Sequence, residues 1–299
     1  MLVVVADSSA TFPYRLIRAP QIPPAATLNW PPPTLSNPTT IKVTNDNRRF
    51  DLDPDKDYVI QMPSTPVTTD GGVWIVGGRN IVMVGGEISN DTPIADGVET
   101  DLAYGLYLKD QTGTVHLEGL WIHGRGIGQA VVLQETKGAT VQLQHSRLEP
   151  LHPVGYVHTD GIQSWSGPLR LRLFDVTIVT AGVGLQTQPN QYGPQTIDTW
   201  EYRRVNIRQT TAAAYALWKE PGDGGWWREI HEDVWVRNRG HLAWPDLAYW
   251  NPGGKGRVEG TKLRLGVPRG GDFVPEGSVG AGYAPVGERR AVTLPRLVR

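Results

Sequence analysis

Short runs in which apolar and polar residues alternate recur along this chain, and each ends on an aliphatic side chain. "NIVMVGGEI" ends at Ile88, "GTVHLEGLWI" at Ile122, "ATVQLQHSRL" at Leu148, "LRLRLFDVTI" at Ile178, "TWEYRRVNI" at Ile207, "WREIHEDVWV" at Val236 and "GRVEGTKLRL" at Leu265. Successive end points are 34, 26, 30, 29, 29 and 29 residues apart. Alternation with period two is the mark of a strand with one buried face. In one run Leu169, Leu171 and Leu173 face one way, and Arg170 and Arg172 the other. A second, shorter strand follows most runs. Its small residue recurs at Gly105, Ala130, Gly161, Gly184, Ala216 and Ala248, followed by Leu106, Val131, Ile162, Leu185, Leu217 and Tyr249. No segment carries a helical period of comparable strength.

Strand pairs repeating every ~30 residues without helices predict stacked coils, each burying its inward residues only against its neighbours. The fold expected is all-β, a right-handed parallel β-helix over residues 48–266. A sandwich would need hairpin turns such as Asn-Gly, which are scarce between the runs, and propeller blades usually repeat at ~40 residues or more. Residues 1–47 include "IPPAATLNWPPPTLSNP". Proline at this density opposes regular strands and predicts an extended arm, suited to docking. Residues 267–299 lack the repeat and are expected to form a C-terminal extension or cap.

Stacking turns matching positions into outward columns. The first column expected is Tyr107, Val132, Gln163, Gln186, Trp218 and Trp250; two positions on stand Lys109, Gln134, Trp165, Gln188, Glu220 and Pro252. Aromatic faces stack on sugar rings, and amides bridge hydroxyls as donors and acceptors. A glycan-binding surface is therefore expected from Tyr107, Gln134, Gln163, Trp165, Gln186, Gln188, Trp218, Lys219, Glu220 and Trp250. The same amides also suit a stacked ladder with no ligand.

"YVHTDGIQSWSG" adds candidate chemistry. His158 and Asp160 lie two apart, which places them on one face of extended chain. An imidazole held by a carboxylate can act as acid or base near neutral pH. His158 and Asp160 are thus the catalytic candidates for a polysaccharide lyase or glycoside hydrolase. Glu201 or Glu220 could supply a second carboxylate, and Arg203, Arg204 or Lys219 could neutralise a uronate. Asp160-Gly161 equally suits a plain turn. His116, His123, His145 and His152 show no metal-ligand spacing and are expected as exposed ladder residues. The acidic loop with Asp91, Asp96, Glu99 and Asp101 lacks a calcium-loop pattern. No metal and no cofactor are expected.

Composition narrows the setting. Net charge is −1, with no basic tail, which argues against binding nucleic acid through bulk electrostatics. No apolar run approaches ~20 residues, so membrane insertion is not expected. With 0 cysteines, disulfides and cysteine-ligated zinc are excluded. The opening "MLVVVADSS" lacks the basic region and long apolar stretch of a secretory signal, which leads to the expectation of use without secretion, or of a signal already removed.

"DPDKDYVIQMPS", "GGVWIVGGRNIVMVGGEI", "HTDGIQSWSGPLRLRLFDVTI" followed by "GLQTQ", and "PEGSVGAGYAP" together span roughly residues 48–285. They resemble the β-helical, pectate-lyase-like minor tail proteins of bacteriophages that infect actinobacteria. The His-x-Asp-x-x-Gln element of that resemblance falls on His158, Asp160 and Gln163. The resemblance implies a virion tail component that meets host cell-wall polysaccharide. It also implies other tail proteins as partners through the N-terminal arm and, by analogy with threefold fibres, a homotrimer. Secretion is the alternative localisation. A calcium-binding aspartate cluster beside an arginine is missing from the sequence, which weakens a calcium-dependent lyase reading.

Overall fold

The computed structural model describes residues 27–95, 100–153, 159–211, 215–238, 248–250, 257–260 and 263–285. They form a parallel β-solenoid of two sheets, one of 8 strands and one of 12. The front sheet runs in the order Ala248–Trp250, Leu217–Lys219, Val183–Thr187, Asp160–Ser166, Gln129–Gln134, Tyr104–Lys109, Val73–Gly77 and Arg49–Leu52. The second sheet begins at Thr39–Lys42 and proceeds through Tyr58–Gln61, Ile81–Val84, Thr114–Glu118, Thr140–Pro150, Arg170–Thr180, Thr199–Gln209 and Arg228–Arg237 to Arg257–Gly260. The chain visits the two sheets in turn, so each neighbour within a sheet belongs to the next coil. Helix among the described residues is confined to two 3-10 turns, Thr100–Ala103 and Gly222–Gly224.

The aliphatic end points do line up. Val67, Ile88, Ile122, Leu148, Ile178, Ile207, Val236 and Leu265 pair directly, coil to coil. All are buried until Leu265, which is 53% exposed at the last rung. Burying one such side chain stabilises a fold by ~1.5–3 kcal/mol, and the row repeats that gain at every coil.

The small residue of the front strands answers this row. A Cβ added at Gly105, Gly161 or Gly184 would collide with Cγ2 of Ile122, Ile178 or Ile207 respectively. The coils that carry Ala130 and Ala216 instead carry Leu148 and Val236 in the row. Size on one wall is thus balanced against size on the other, as close packing demands.

The second sheet is not flat, and here the expectation of two strands per coil falls short. Gly85, Gly119, His145, Asp175, Arg204 and Asp233 all have positive φ, from 49° to 72°. Strand pairing skips this column: Gln144 pairs Phe174 and Ser146 pairs Val176, and the same step recurs in the next two coils. Six successive coils therefore bend at one left-handed residue each, giving the solenoid a third side. Four of the six are not glycine, a conformation that costs roughly 1–2 kcal/mol. Side-chain pairing offsets it. The Asp175 carboxylate receives Arg204 Nε and lies 3.7 Å from His145 Nε2, and Asp233 accepts from Trp235 Nε1 at 2.9 Å.

Both flanking segments lie on this bent sheet. Thr39–Lys42 pairs with Tyr58–Gln61, so the sheet starts inside the stretch assigned to the arm. Ahead of it, Asn29 N and Trp30 N donate to Gln144 Oε1 at 2.9 and 3.1 Å, and Gln142 Nε2 donates to Pro31 O at 2.8 Å. The C-terminal extension runs back over the bend as a strap. Asp272 accepts from Arg147 at 3.0 Å and Asn206 at 3.0 Å, and pairs with Arg208 at 3.2 Å. Phe273 and Val274 are buried. The Tyr283 ring occupies the space a side chain at Gly119 would need, and its hydroxyl donates to Glu118 Oε1 at 2.7 Å.

Substituting Gly184→Ala is expected to destabilise the fold by ~1–3 kcal/mol through overpacking. Adding Ile207→Leu, which copies the Ala130 and Leu148 coil, should restore most of that loss. Urea unfolding of the two single variants and the double variant checks the coupling; simple additivity contradicts the cross-coil packing.

Candidate functional site

The outward column of the front sheet runs, by strand register, through Arg49, Trp74, Tyr107, Val132, Gln163, Gln186, Trp218 and Tyr249. The last position corrects the sequence alignment. Leu217 pairs Ala248, so Tyr249 continues the column, and Trp250 pairs Lys219 one place on.

The N-terminal half of this face is aromatic. Tyr104, Tyr107 and Val132 form a cluster separate from the interior core, with Trp74, Val76 and Trp165 packed around it. Trp74 lies 4.4 Å from Tyr107 by ring centroids, and the Arg49 guanidinium sits 4.4 Å over Trp74. Trp165 meets Tyr104 edge-on at 5.8 Å and Tyr192 at 6.1 Å. A β-bulge explains its reach: Leu133 pairs Ser164 and Gln134 pairs Ser166, which leaves Trp165 as the extra residue. Tyr192 is 56% exposed, while Trp74 and Trp165 are half-buried. Gln134 accepts the Tyr107 hydroxyl.

The next coils are polar. Asp160 is 0% exposed, and its surroundings are amides. The Gln163 nitrogen lies 3.1 Å from Asp160 Oδ2, while the Gln163 oxygen accepts from the Trp165 indole. Gln186 stands on the other side, one amide atom 3.1 Å from Asp160 Oδ1 and 3.0 Å from Oδ2. Gln186 then donates to Gln188 Oε1 at 3.2 Å, Gln188 donates to Glu220 Oε2, and the Trp218 indole donates to the same oxygen at 3.3 Å. Which amide atom is oxygen follows from the partners. Turning Gln186 over would face its oxygen to Gln188 Oε1 at 3.2 Å, acceptor against acceptor. The consistent arrangement gives Gln186 Oε1 to Asp160, and Asp160 supplies the hydrogen. Burial acts the same way, holding the Asp160 carboxyl well above the usual carboxylate range.

Several expectations change here. Gln163 and Gln186 were expected on an exposed stripe, yet both are buried among their neighbours. Lys219 was grouped with the outward residues. In Leu217–Lys219 the alternation sends Leu217 and Lys219 inward and leaves Trp218 outside. Lys219 is 0% exposed and pairs with Glu229, which also lies 3.0 Å from His231 Nε2 and accepts from Trp227 Nε1 at 3.1 Å and Tyr202 at 3.2 Å. It is a core ion pair, which a single-partner deletion would leave with an uncompensated buried charge. His116, His145 and His152 are buried rather than exposed. His158 lies outside the described residues, as does the side chain of Trp250, so the structure supplies no His158–Asp160 geometry. Among the described residues no group of three or more His, Asp or Glu stands at metal-binding distances.

Sequence reasoning missed Glu135. It follows the Gln129–Gln134 strand, is buried, and accepts from Gln111 N at 2.9 Å. Burial pushes its carboxyl up to about 8. Its only signal was a charged residue just past an inward-facing Leu133.

Comparison of the chain with protein-family models, with curated proteins and with solved structures finds no match in any of the three.

Asp160 carries a testable pH signature. Its folded value is raised, so above the unfolded value of ~3.9 the unfolded chain loses the proton first and stability falls as pH rises towards the folded value. Asp160→Asn keeps one donor and one acceptor and does not ionise. The variant is expected to match the parent near pH 4 and to be the more stable of the two at pH 7 in urea unfolding. Glu135 contributes equally to both chains and cancels. A variant less stable than the parent at pH 7 contradicts a neutral Asp160.

Proposed function

We propose that this chain is a structural component of a phage tail whose front sheet binds glycan at the host cell surface. One observation carries the binding reading. An aromatic cluster, separate from the core, lies on the outer face of the front sheet, and its members come from successive coils. Adjacent coils are ~4.8 Å apart, so these rings form one contiguous cluster; Tyr104 and Tyr107, the latter expected as a contact residue, are buried within it, and Trp74, Trp165 and Tyr192 reach the surface. Half-buried indoles rimmed by Gln134, Gln188 and Glu220 offer a stacking surface with hydrogen-bonding edges, the combination a sugar ring requires. The tail setting rests on the sequence resemblance.

The same setting assigns docking to the arm. Because Asn29, Trp30 and Pro31 already bind Gln142 and Gln144, attachment to other tail proteins falls to residues ahead of them. Threefold packing of the chain belongs to this proposal and rests on analogy. Cleavage of the glycan is not proposed: the hydrogen-bond partners described for Asp160 are amides, and a buried neutral acid among amides is a structural donor.

Trp165→Ala and Trp218→Ala are each expected to weaken binding to purified host cell-wall polysaccharide by about tenfold, ~1.4 kcal/mol. Arg203→Ala, on the bent sheet and away from the front face, should leave binding unchanged. Sedimentation with insoluble cell wall measures all three. Equal binding by the tryptophan variants and the parent contradicts the front-face reading.

A further inference from the structure

Trp218, Gln188 and Glu220 stand where the aromatic cluster passes into the polar coils. All three are half-buried. Their hydrogen bonds run in one direction only. An indole N–H can only donate, so Glu220 Oε2 is an acceptor for Trp218. Gln188 turns its nitrogen to the same oxygen, which turns its own oxygen to Gln186. Gln186 in turn shows its oxygen to Asp160. Polarity is thus fixed from the surface end, at Trp218 and Glu220, inward to Asp160. Neither Gln188 nor Gln186 can invert without setting two acceptors together.

The surface end of this relay is an anionic acceptor. Glu220 Oε2 takes both protein donors, and Oε1 makes no hydrogen bond among the described residues. Gln188 has its oxygen and one N–H engaged. A ligand lying on the Trp218 ring therefore meets an unengaged carboxylate oxygen beside it. That oxygen attracts hydroxyl and ammonium donors and repels a carboxylate or phosphate.

We infer that Trp218, Gln188 and Glu220 form a subsite for an amino sugar, with Gln188 held in one orientation between Glu220 and Gln186, and Gln186 backed by Asp160. This rests on the glycan-binding reading and adds the ligand class to it. Asp160 and Gln186 are positioning residues; Trp218, Gln188 and Glu220 touch the sugar.

The probes are three oligosaccharides of equal length: glucosamine, N-acetylglucosamine and galacturonate. Titration calorimetry gives the ranking, and NMR of the Gln188 amide and Trp218 indole protons gives the location. The glucosamine oligomer is expected to bind tightest, at least tenfold above galacturonate, and to shift both side-chain signals. Glu220→Gln preserves shape and removes the charge; it should erase at least tenfold of that preference while N-acetylglucosamine binding changes little. Glu220→Lys should reverse the order. Galacturonate in first place, or a ranking unmoved by Glu220→Gln, overturns the subsite and leaves a glycan face standing. No binding by any of the three, together with no binding to host cell wall, overturns both readings. Binding that shifts signals elsewhere but not at Gln188 and Trp218 overturns the location.

Discussion

The narrow interior of the coil is the constraint on which everything else depends. Two walls approach so closely that an isoleucine on one leaves room for only a hydrogen on the other. Gly105, Gly161 and Gly184 face Ile122, Ile178 and Ile207 across that gap. Such an interior cannot slide by one residue. A slip would send Leu171 and Leu173 to solvent and bring Arg170 and Arg172 inside. Register is therefore fixed coil by coil, and the outer columns inherit it. Trp74 stands beneath Tyr107, and Gln163 beneath Gln186, because residues behind them cannot move.

Fixed outer columns create a second problem, the polar groups that stacking brings together. The solution differs by side. On the bent sheet, both flanking segments cover the surface and take up its hydrogen bonds, Asn29 to Pro31 at Gln142 and Gln144, and Asp272 at Arg147, Asn206 and Arg208. On the front sheet, side chains satisfy one another along the axis, from Asp160 through Gln186 and Gln188 to Glu220. A covered side lends stiffness; a side whose hydrogen bonds run along its own surface keeps aromatic rings and acceptors available to a ligand. The division between the two faces is thus physical, and the glycan proposal follows the face whose side chains satisfy one another.

Much of this was legible in the sequence, for reasons particular residues make clear. Ile88 to Leu265 announced the interior row because only one side-chain class fits there and the spacing hardly varies. The bend stayed hidden. His145, Asp175, Arg204 and Asp233 sit inside unbroken strand-like runs, and their shared left-handed backbone shows only as glycine in two sister coils, at Gly85 and Gly119. Lys219 was misassigned for a readable reason. Glu229 and His231 occupy the inward positions held by Leu171 and Leu173 two coils earlier, so a buried cation was needed opposite them. Gln163 and Gln186 were placed correctly in the column. Their burial could not be inferred, since it depends on side chains one coil away.

Register can be measured chemically, because the chain has 0 cysteines to interfere. Arg203 and Glu232 are direct partners on neighbouring coils, both outward. Cysteines placed at both positions have Cα atoms ~4.8 Å apart, within disulfide range, whereas cysteines at Glu201 and Glu232 fall ~8 Å apart on the diagonal. The account predicts rapid, near-complete oxidation of the 203/232 pair and none of the 201/232 pair. Oxidation of the diagonal pair instead, or of neither, would mean that the coils do not stack in this register.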